Sequence, residues 1–273
     1  MKSYTQAWRA LIRKYYSSNQ FFFRLMLLFV LVFIMLCGFT SNGQQVTATE
    51  IIKRSEDHLR GETSIAEVSI DIIRPDWTRT IKLKGWSKGV NYSMILIQSP
   101  VKDKGIVFLK RQKEVWNWIP SVERTIKLPP SMMAQSWMGT DFTNDDLVRE
   151  YSVIHDYTQR IIGDSMILGR KCWKIEMIPL PQSAIVWGKV LLWIDQQDYM
   201  QLRTEFIDED NIKIQVMQCT EIKKLGGRML PCVMEMIPLD KPGHKTIMRY
   251  ESLLFNQPIA DDFFTTQNIK KVQ

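Results

Sequence analysis

Side chains that could carry out chemistry are few and widely scattered in this sequence. It has three histidines, His58, His155 and His244, and no two of them stand at the i, i+4 spacing that places two ligands on one face of a helix. No Cys-x-x-Cys zinc pattern, phosphate-binding loop, dinucleotide fingerprint or Gly-x-Ser-x-Gly elbow is present. We therefore predict a protein that is not an enzyme and that uses no metal or organic cofactor.

The acidic clusters in the sequence have a local structural explanation. Asp145–Asp146 and Asp261–Asp262 each stand at a predicted helix start, where a carboxylate interacts favourably with the free backbone N–H groups. Asp208–Asn211 lacks the spaced ligands and the distal glutamate of a calcium-binding loop. We interpret it as the solvated tip of a hairpin.

The positive charge is concentrated at the N-terminus. The chain has 36 basic and 29 acidic residues, for a net charge of +7, but five of the basic residues and none of the acidic ones precede residue 44. The remainder carries 31 basic and 29 acidic residues and is almost neutral. A nucleic-acid-binding domain is expected to show a basic patch, so the charge balance argues against nucleic acid as a partner.

Residues 1–43 have the pattern of a signal peptide. A basic region precedes the apolar run Leu25–Phe39, which is shorter than the roughly 20 residues that a membrane-spanning helix needs. Small Ser41 and Gly43 suit a cleavage site before residue 44. We predict export. An uncleaved membrane anchor and lipidation at Cys37 are the alternatives.

The chain from residue 44 to residue 273 predicts one mainly β domain. A helix is expected to begin at Thr47, which has a glutamate three residues later as in a capping box, and to end at Gly61. After it, apolar and polar residues alternate in stretches separated by turn signals, which is typical of an antiparallel meander. Within this pattern we expect a β-bulge at Gly85 and a turn at Gly163–Asp164.

Three cysteines, Cys172, Cys219 and Cys232, lie beyond the predicted signal peptide, and their odd number excludes a fully paired disulfide framework. Cys219 and Cys232 flank a predicted hairpin turn at Gly226–Gly227. A tight register would place them diagonally on one face, farther apart than a disulfide usually spans. This favours buried free thiols, with a disulfide between these two as the alternative.

The segment Ser131–Leu147 interrupts the strand pattern with a concentration of large apolar side chains. We predict a helix that begins at Ser131 and ends at Gly139, followed by a short second helix that Thr143 caps. Such a segment would cover an open sheet or line a pocket for an apolar ligand, and ordinary core packing is the alternative. The candidate binding residues are Met132, Met133, Trp137, Met138 and Phe142 in the segment and, as weaker candidates on the sheet, Trp86, Trp116 and Trp118.

Three groups of residues, in this order and spacing, resemble a known family. They are Met138–Phe142 with Asp146–Leu147, then Leu191–Asp195, and finally Phe255–Phe264. Over Val46–Ile269 the chain resembles the outer-membrane lipoprotein-sorting proteins with the LolA/LolB-like fold, in their extended branch.

The resemblance implies an α+β fold, in which short helices cover an incomplete, curved antiparallel β-barrel. It also implies a periplasmic carrier whose hydrophobic cavity holds acyl chains without covalent chemistry. The expected partners are lipid acyl chains or lipoproteins, together with an inner-membrane transporter or an outer-membrane acceptor. The alternative function is an envelope sensor or transporter-associated module that binds a protein through the same apolar face.

Overall fold

The computed structural model describes residues 46–112, 114–144, 146, 152–183 and 185–272, and the predicted signal peptide lies outside these ranges. The described part of the chain is mostly β-structure, as the sequence pattern predicts. No helix within it combines the length and the apolar character needed to cross a bilayer.

The described strands form one thirteen-stranded antiparallel sheet. Their bounds are β1 Thr63–Arg74, β2 Trp77–Lys88, β3 Tyr92–Ser99, β4 Val107–Arg111, β5 Glu114–Ile119, β6 Arg124–Lys127, β7 Tyr157–Ile167, β8 Arg170–Pro179, β9 Lys189–Asp195, β10 Gln201–Ile207, β11 Lys213–Leu225, β12 Arg228–Pro238 and β13 Lys245–Phe255. The order across the sheet is β6-β5-β4-β3-β2-β1-β13-β12-β11-β10-β9-β8-β7. Strands β1 and β13 therefore pair in the middle, and β6 and β7 are the two edges of an open sheet.

Alternation along each strand gives the sheet two distinct faces. We call the face that carries Ile70, Ile81 and Ile97 the inner face, because α1 and the segment after β6 pack on it. The outer face carries Met94 and Leu109, among others, and packs against the C-terminal end of the chain.

Helix α1 spans Ala48–Arg60 and packs on the inner face of β8 and β9. The Thr47 side chain accepts a hydrogen bond from the Glu50 N–H at 3.2 Å, and Gly61 ends the helix with a φ of 65°. Because an L side chain rarely adopts that φ, glycine suits this position. Buried Ile51 and Ile52 anchor the helix in the core. The predicted helix and both of its ends are confirmed.

The cap gives a direct test of how α1 is stabilised. We expect Thr47→Ala to lower the free energy of unfolding by about 1 kcal/mol, because the Glu50 N–H loses its side-chain acceptor. Urea unfolding followed by circular dichroism measures the change. Thr47→Ser is the control and should retain nearly all of the stability. Equal stability of the alanine and serine variants would show that the cap contributes nothing.

The expectation that short helices cover the sheet is wrong for the residues that the structure describes. Apart from α1, they include one α-helical turn, α2, at Ser152–His155, and 3₁₀ turns, of which one spans Pro130–Met132. The rest of the expected first helix is irregular. Met138 and Gly139 adopt φ values of 51° and 79°, which no right-handed helix accommodates.

Thr143 makes the contacts expected of a helix cap, and they are reciprocal, as in a capping box. The Thr143 N–H donates to Asp146 Oδ2 at 2.7 Å, and the Asp146 N–H donates to Thr143 Oγ1 at 3.1 Å. The continuation of the expected second helix to Leu147 lies outside the described residues.

Two glycine predictions within the strands are wrong. Gly85 pairs in register with Ala66, without a bulge at that position. Gly163 and Asp164 lie inside β7 instead of forming a turn, because β7 continues to pair with β8 on both sides of them. The register shifts there, between Ile161 and Gly163, so glycine accommodates a bulge.

Candidate functional site

The described part of the apolar segment, Ser131–Asn144, is called the insertion below, and it packs on the inner face over β1 to β4. Trp137 is only 1% exposed and lies in one cluster with Ile70 and Ile97. Its ring centroid is 5.6 Å from that of Phe108. Phe142 is also buried. The two largest predicted contacts within the insertion are therefore buried in this structure.

A buried polar cluster, the Asp141 anchor, fixes the insertion to the sheet. Arg74 Nη1 lies 3.1 Å from Asp141 Oδ2, and the two side chains are only 10% and 7% exposed. Thr246 Oγ1 donates to the same carboxylate at 2.7 Å and accepts from the Asp141 N–H at 2.9 Å. Gln215 Nε2 donates to the Asp141 carbonyl at 2.9 Å. One residue of the insertion is thus held by β1, β11 and β13.

The neighbouring carbonyl groups extend this anchor. Arg74 Nη2 donates to the Gly139 carbonyl at 2.8 Å, and the Arg79 guanidinium donates to the Met138 carbonyl. Within the turn, the buried Thr140 hydroxyl donates to the Trp137 carbonyl at 2.7 Å. The residues Met138–Phe142 therefore position the insertion, which gives this motif a structural role.

A row of methionines on the inner face, the methionine band, continues from the insertion toward α1. Met217 pairs directly with Met236 across β11 and β12, and Met234 pairs with Met248 across β12 and β13. Met234 and Met236 are buried, whereas Met217 and Met248 are half-buried. Met248 also contacts the cluster around Trp137. Methionine is flexible and polarizable, so this band can adapt to an irregular apolar ligand.

The three candidate tryptophans on the sheet lie on the outer face, away from the insertion. Trp86 packs against Phe263 with ring centroids 5.5 Å apart, and Lys270 Nζ lies 5.1 Å from the Trp118 ring. Trp116 belongs to the same outer cluster, beneath the C-terminal segment Ile259–Val272. The structure therefore does not bring these tryptophans together with the insertion, and the two sets cannot line one cavity. Their role in binding stays a prediction.

A small cavity lies beneath Trp137. Its volume is about 10 Å³, and it is lined by Ser93, Ile95, Phe108, Lys110, Val115, Leu128, Trp137 and Asn144. This is room for roughly one water molecule. The Trp137 Nε1–H finds no hydrogen-bond acceptor among the described residues. An acyl chain would need the insertion to move before it could enter here.

The arrangement of polar residues offers no metal site in the described ranges. No group of three or more His, Cys, Asp or Glu side chains there is close enough to hold a metal ion. Cys172, Cys219 and Cys232 are free and buried, which confirms the preferred interpretation of the sequence.

Several solved structures share this open antiparallel sheet and confirm the predicted resemblance at the level of the fold. A DUF1329 family protein from Desulfovibrio piger is 17% identical, with a TM-score of 0.74 over 81% of this chain and 97% of that protein. An outer membrane lipoprotein-sorting protein domain from Vibrio parahaemolyticus is 18% identical, with a TM-score of 0.72 over 82% and 98%. A LolA superfamily protein from Nitrosomonas europaea is 22% identical, with a TM-score of 0.68 over 81% and 99%.

The described part of the chain thus has a LolA-like fold with an apolar inner face. More narrowly, the chain belongs to a family described as "Uncharacterized protein", whose model matches residues 89–271. No protein of curated function matches the sequence significantly.

Proposed function

We propose that this protein is a non-catalytic carrier or binding protein of the cell envelope that holds acyl chains of lipids or lipoproteins. The observation that carries this proposal is the methionine band, a continuous row of adaptable apolar side chains beside an anchored insertion on the inner face. The fold shared with a lipoprotein-sorting domain and a LolA superfamily protein supports it.

Reversible binding of an acyl chain needs only apolar contact. Each buried CH₂ group contributes roughly 0.8 kcal/mol, so a chain that lies along several side chains of the band is held without covalent chemistry. Half-buried Met217 and Met248 would make the first contacts, because part of each side chain is still accessible. Displacement of the insertion would extend the path toward Phe108.

The insertion is the proposed lid over this path. Met132, Met133 and Met138 are half-buried and would contact the ligand directly. Trp137 and Phe142 are buried in the closed state and would contact the ligand only after the insertion moves. The lid would open either by rotating about the Asp141 anchor or by breaking the hydrogen bonds of that anchor.

The proposed location is the periplasm, which rests on the predicted signal peptide, residues 1–43, and on the fold shared with a LolA superfamily protein. In that compartment the protein would receive its cargo from an inner-membrane transporter or deliver it to an outer-membrane acceptor. Protein expressed from the full-length sequence should carry lipid that native mass spectrometry detects after purification.

Two matched double variants test the methionine band. We expect Met217→Gln with Met248→Gln to weaken binding of a fluorescent fatty acid about tenfold, equivalent to roughly 1.4 kcal/mol, because glutamine keeps the size of methionine but is polar. The control, Met166→Gln with Met229→Gln, makes the same change at two methionines outside the band. They are 62% and 38% exposed, and their replacement should leave the affinity unchanged. Fluorescence titration measures both.

Two results would contradict the proposal. One is a wild-type protein that carries no lipid and binds neither the fatty acid nor an acylated peptide. The other is an equal loss of affinity in both double variants, which would show that binding is not located at the band. Co-purification of a membrane protein without lipid would favour the alternative, a protein-binding module.

A further inference from the structure

Cys219 and Cys232, on the neighbouring strands β11 and β12, converge on one backbone atom. Cys219 Sγ lies 3.2 Å from the Glu221 carbonyl oxygen, and Cys232 Sγ lies 3.3 Å from the same oxygen. The two sulfur atoms therefore lie within about 6.5 Å of each other, and both are free thiols in this structure. A regular diagonal pair of residues on adjacent strands would not share one carbonyl partner.

A double irregularity in the strand pairing produces this convergence. Cys219 pairs with Met234, but the register then shifts on both sides of Glu221, and the ladder resumes where Ile222 pairs with Pro231. Cys232 has no partner of its own in this ladder. Bulges re-aim side chains, and here they bring both thiols to the same Glu221 carbonyl.

Both thiols are shielded in the folded protein. Cys219 is 4% exposed and Cys232 is 1% exposed. Burial raises the pKa of Cys219 to about 11 and also raises the pKa of Cys232. The thiolate is the reactive form, so reaction of these buried thiols in the folded protein is slow and requires opening of the β11–β12 hairpin.

We propose that Cys219 and Cys232 are an oxidisable pair that forms a disulfide across β11 and β12 when the hairpin opens to a small-molecule disulfide oxidant. One thiolate attacks the oxidant and releases one thiol from it, leaving a mixed disulfide on the protein. The second cysteine then attacks the mixed disulfide and releases the second thiol. The protein loses two protons and two electrons, and the oxidant disulfide is reduced to two thiols.

The third described cysteine provides an internal control. Cys172 lies on β8, separated from β11 by β9 and β10, and is also fully buried. Burial raises its pKa to about 11, the same value as for Cys219. Cys172 is thus as buried as Cys219 and has a similar pKa, but it lies on a distant strand. A difference in reactivity between the two therefore reports the effect of the neighbouring thiol and not the effect of burial.

Peptide mapping tests the pair directly. Protein expressed from the full-length sequence is reduced, incubated with oxidised glutathione in mildly alkaline buffer with subdenaturing urea, alkylated and digested. We expect a peptide pair linked through Cys219 and Cys232 that lacks two hydrogen atoms in mass, while Cys172 is recovered in alkylated form. The linked protein should unfold at a higher urea concentration, and reductant should reverse the shift.

Single serine variants complete the test. Cys172→Ser should form the same link, whereas Cys219→Ser and Cys232→Ser should each stop at a mixed disulfide with glutathione. Full alkylation of both cysteines after oxidation would overturn the proposal, as would a link that includes Cys172. Because none of these measurements involves lipid, their failure would leave the proposed carrier function standing, and the reverse also holds.

Discussion

Asp141→Ala is expected to lower the free energy of unfolding by about 3 kcal/mol, the low end of the range for breaking a buried ion pair. The substitution leaves Arg74 without its carboxylate partner at a position where that side chain is only 10% exposed. Thr246 loses its acceptor at the same time. Arg74 keeps hydrogen bonds to the Ile73 and Gly139 carbonyls, which limits the cost. Urea unfolding measures the change.

Asp57→Ala is the matched control for the loss of a carboxylate. It removes an ion pair with Lys53 in which the side chains are 65% and 63% exposed, so the expected change is below about 1 kcal/mol. Hydrogen exchange adds local information, because Asp141→Ala should reduce protection in the insertion more than in α1. If Asp141→Ala and Asp57→Ala are equally stable, the anchor does not hold the insertion.

The local features of this fold could be predicted from the sequence. The α1 helix follows from a cap, an apolar stripe and a terminal glycine within fifteen residues, all of which act over short distances. The period-2 pattern likewise places Val68, Ile70 and Ile72 on one face of β1. Such local patterns can be interpreted without knowing which strands are neighbours in the sheet.

The site could be predicted only in part, because its contacts are distant in sequence. Asp141 meets its partners Arg74, Gln215 and Thr246 across 67, 74 and 105 residues. The methionine band needs the pairing register of three strands, and that register includes bulges that no local pattern shows. The only available signal was the spacing of Met234 and Met236, which puts both on one face of a strand.

The placement of the tryptophans shows the same limit. Trp116 and Trp118 are two residues apart, a spacing that places both on one face of a strand, and they lie in one cluster on the same face. Which face that is depends on the C-terminal segment, whose Phe264 and Ile269 are fully buried over the outer side of the sheet. A local sequence pattern does not indicate which of the two faces of the sheet a distant segment covers.

Trp137→Ala is expected to lower the free energy of unfolding by about 3–5 kcal/mol, because it removes the largest fully buried side chain of the insertion. The surrounding β-strands are held by their hydrogen bonds and cannot collapse fully into the space. Trp137→Phe keeps most of the apolar contact with Phe108 and removes an indole N–H that has no acceptor among the described residues. Its cost should therefore be less than half that of the alanine variant.

Met132→Ser with Met133→Ser separates the lid from the core. Both side chains are half-buried, so we expect the double variant to lose no more than about 2 kcal/mol of stability while its affinity for a fluorescent fatty acid falls. Unfolding and binding are measured on the same samples, with Trp137→Phe as the reference for an altered but packed insertion. If the serine variant is destabilised as much as Trp137→Ala, the insertion is ordinary core. If it stays folded and binds the fatty acid normally, the acyl chain does not pass beneath the insertion, and the methionine band alone must hold it.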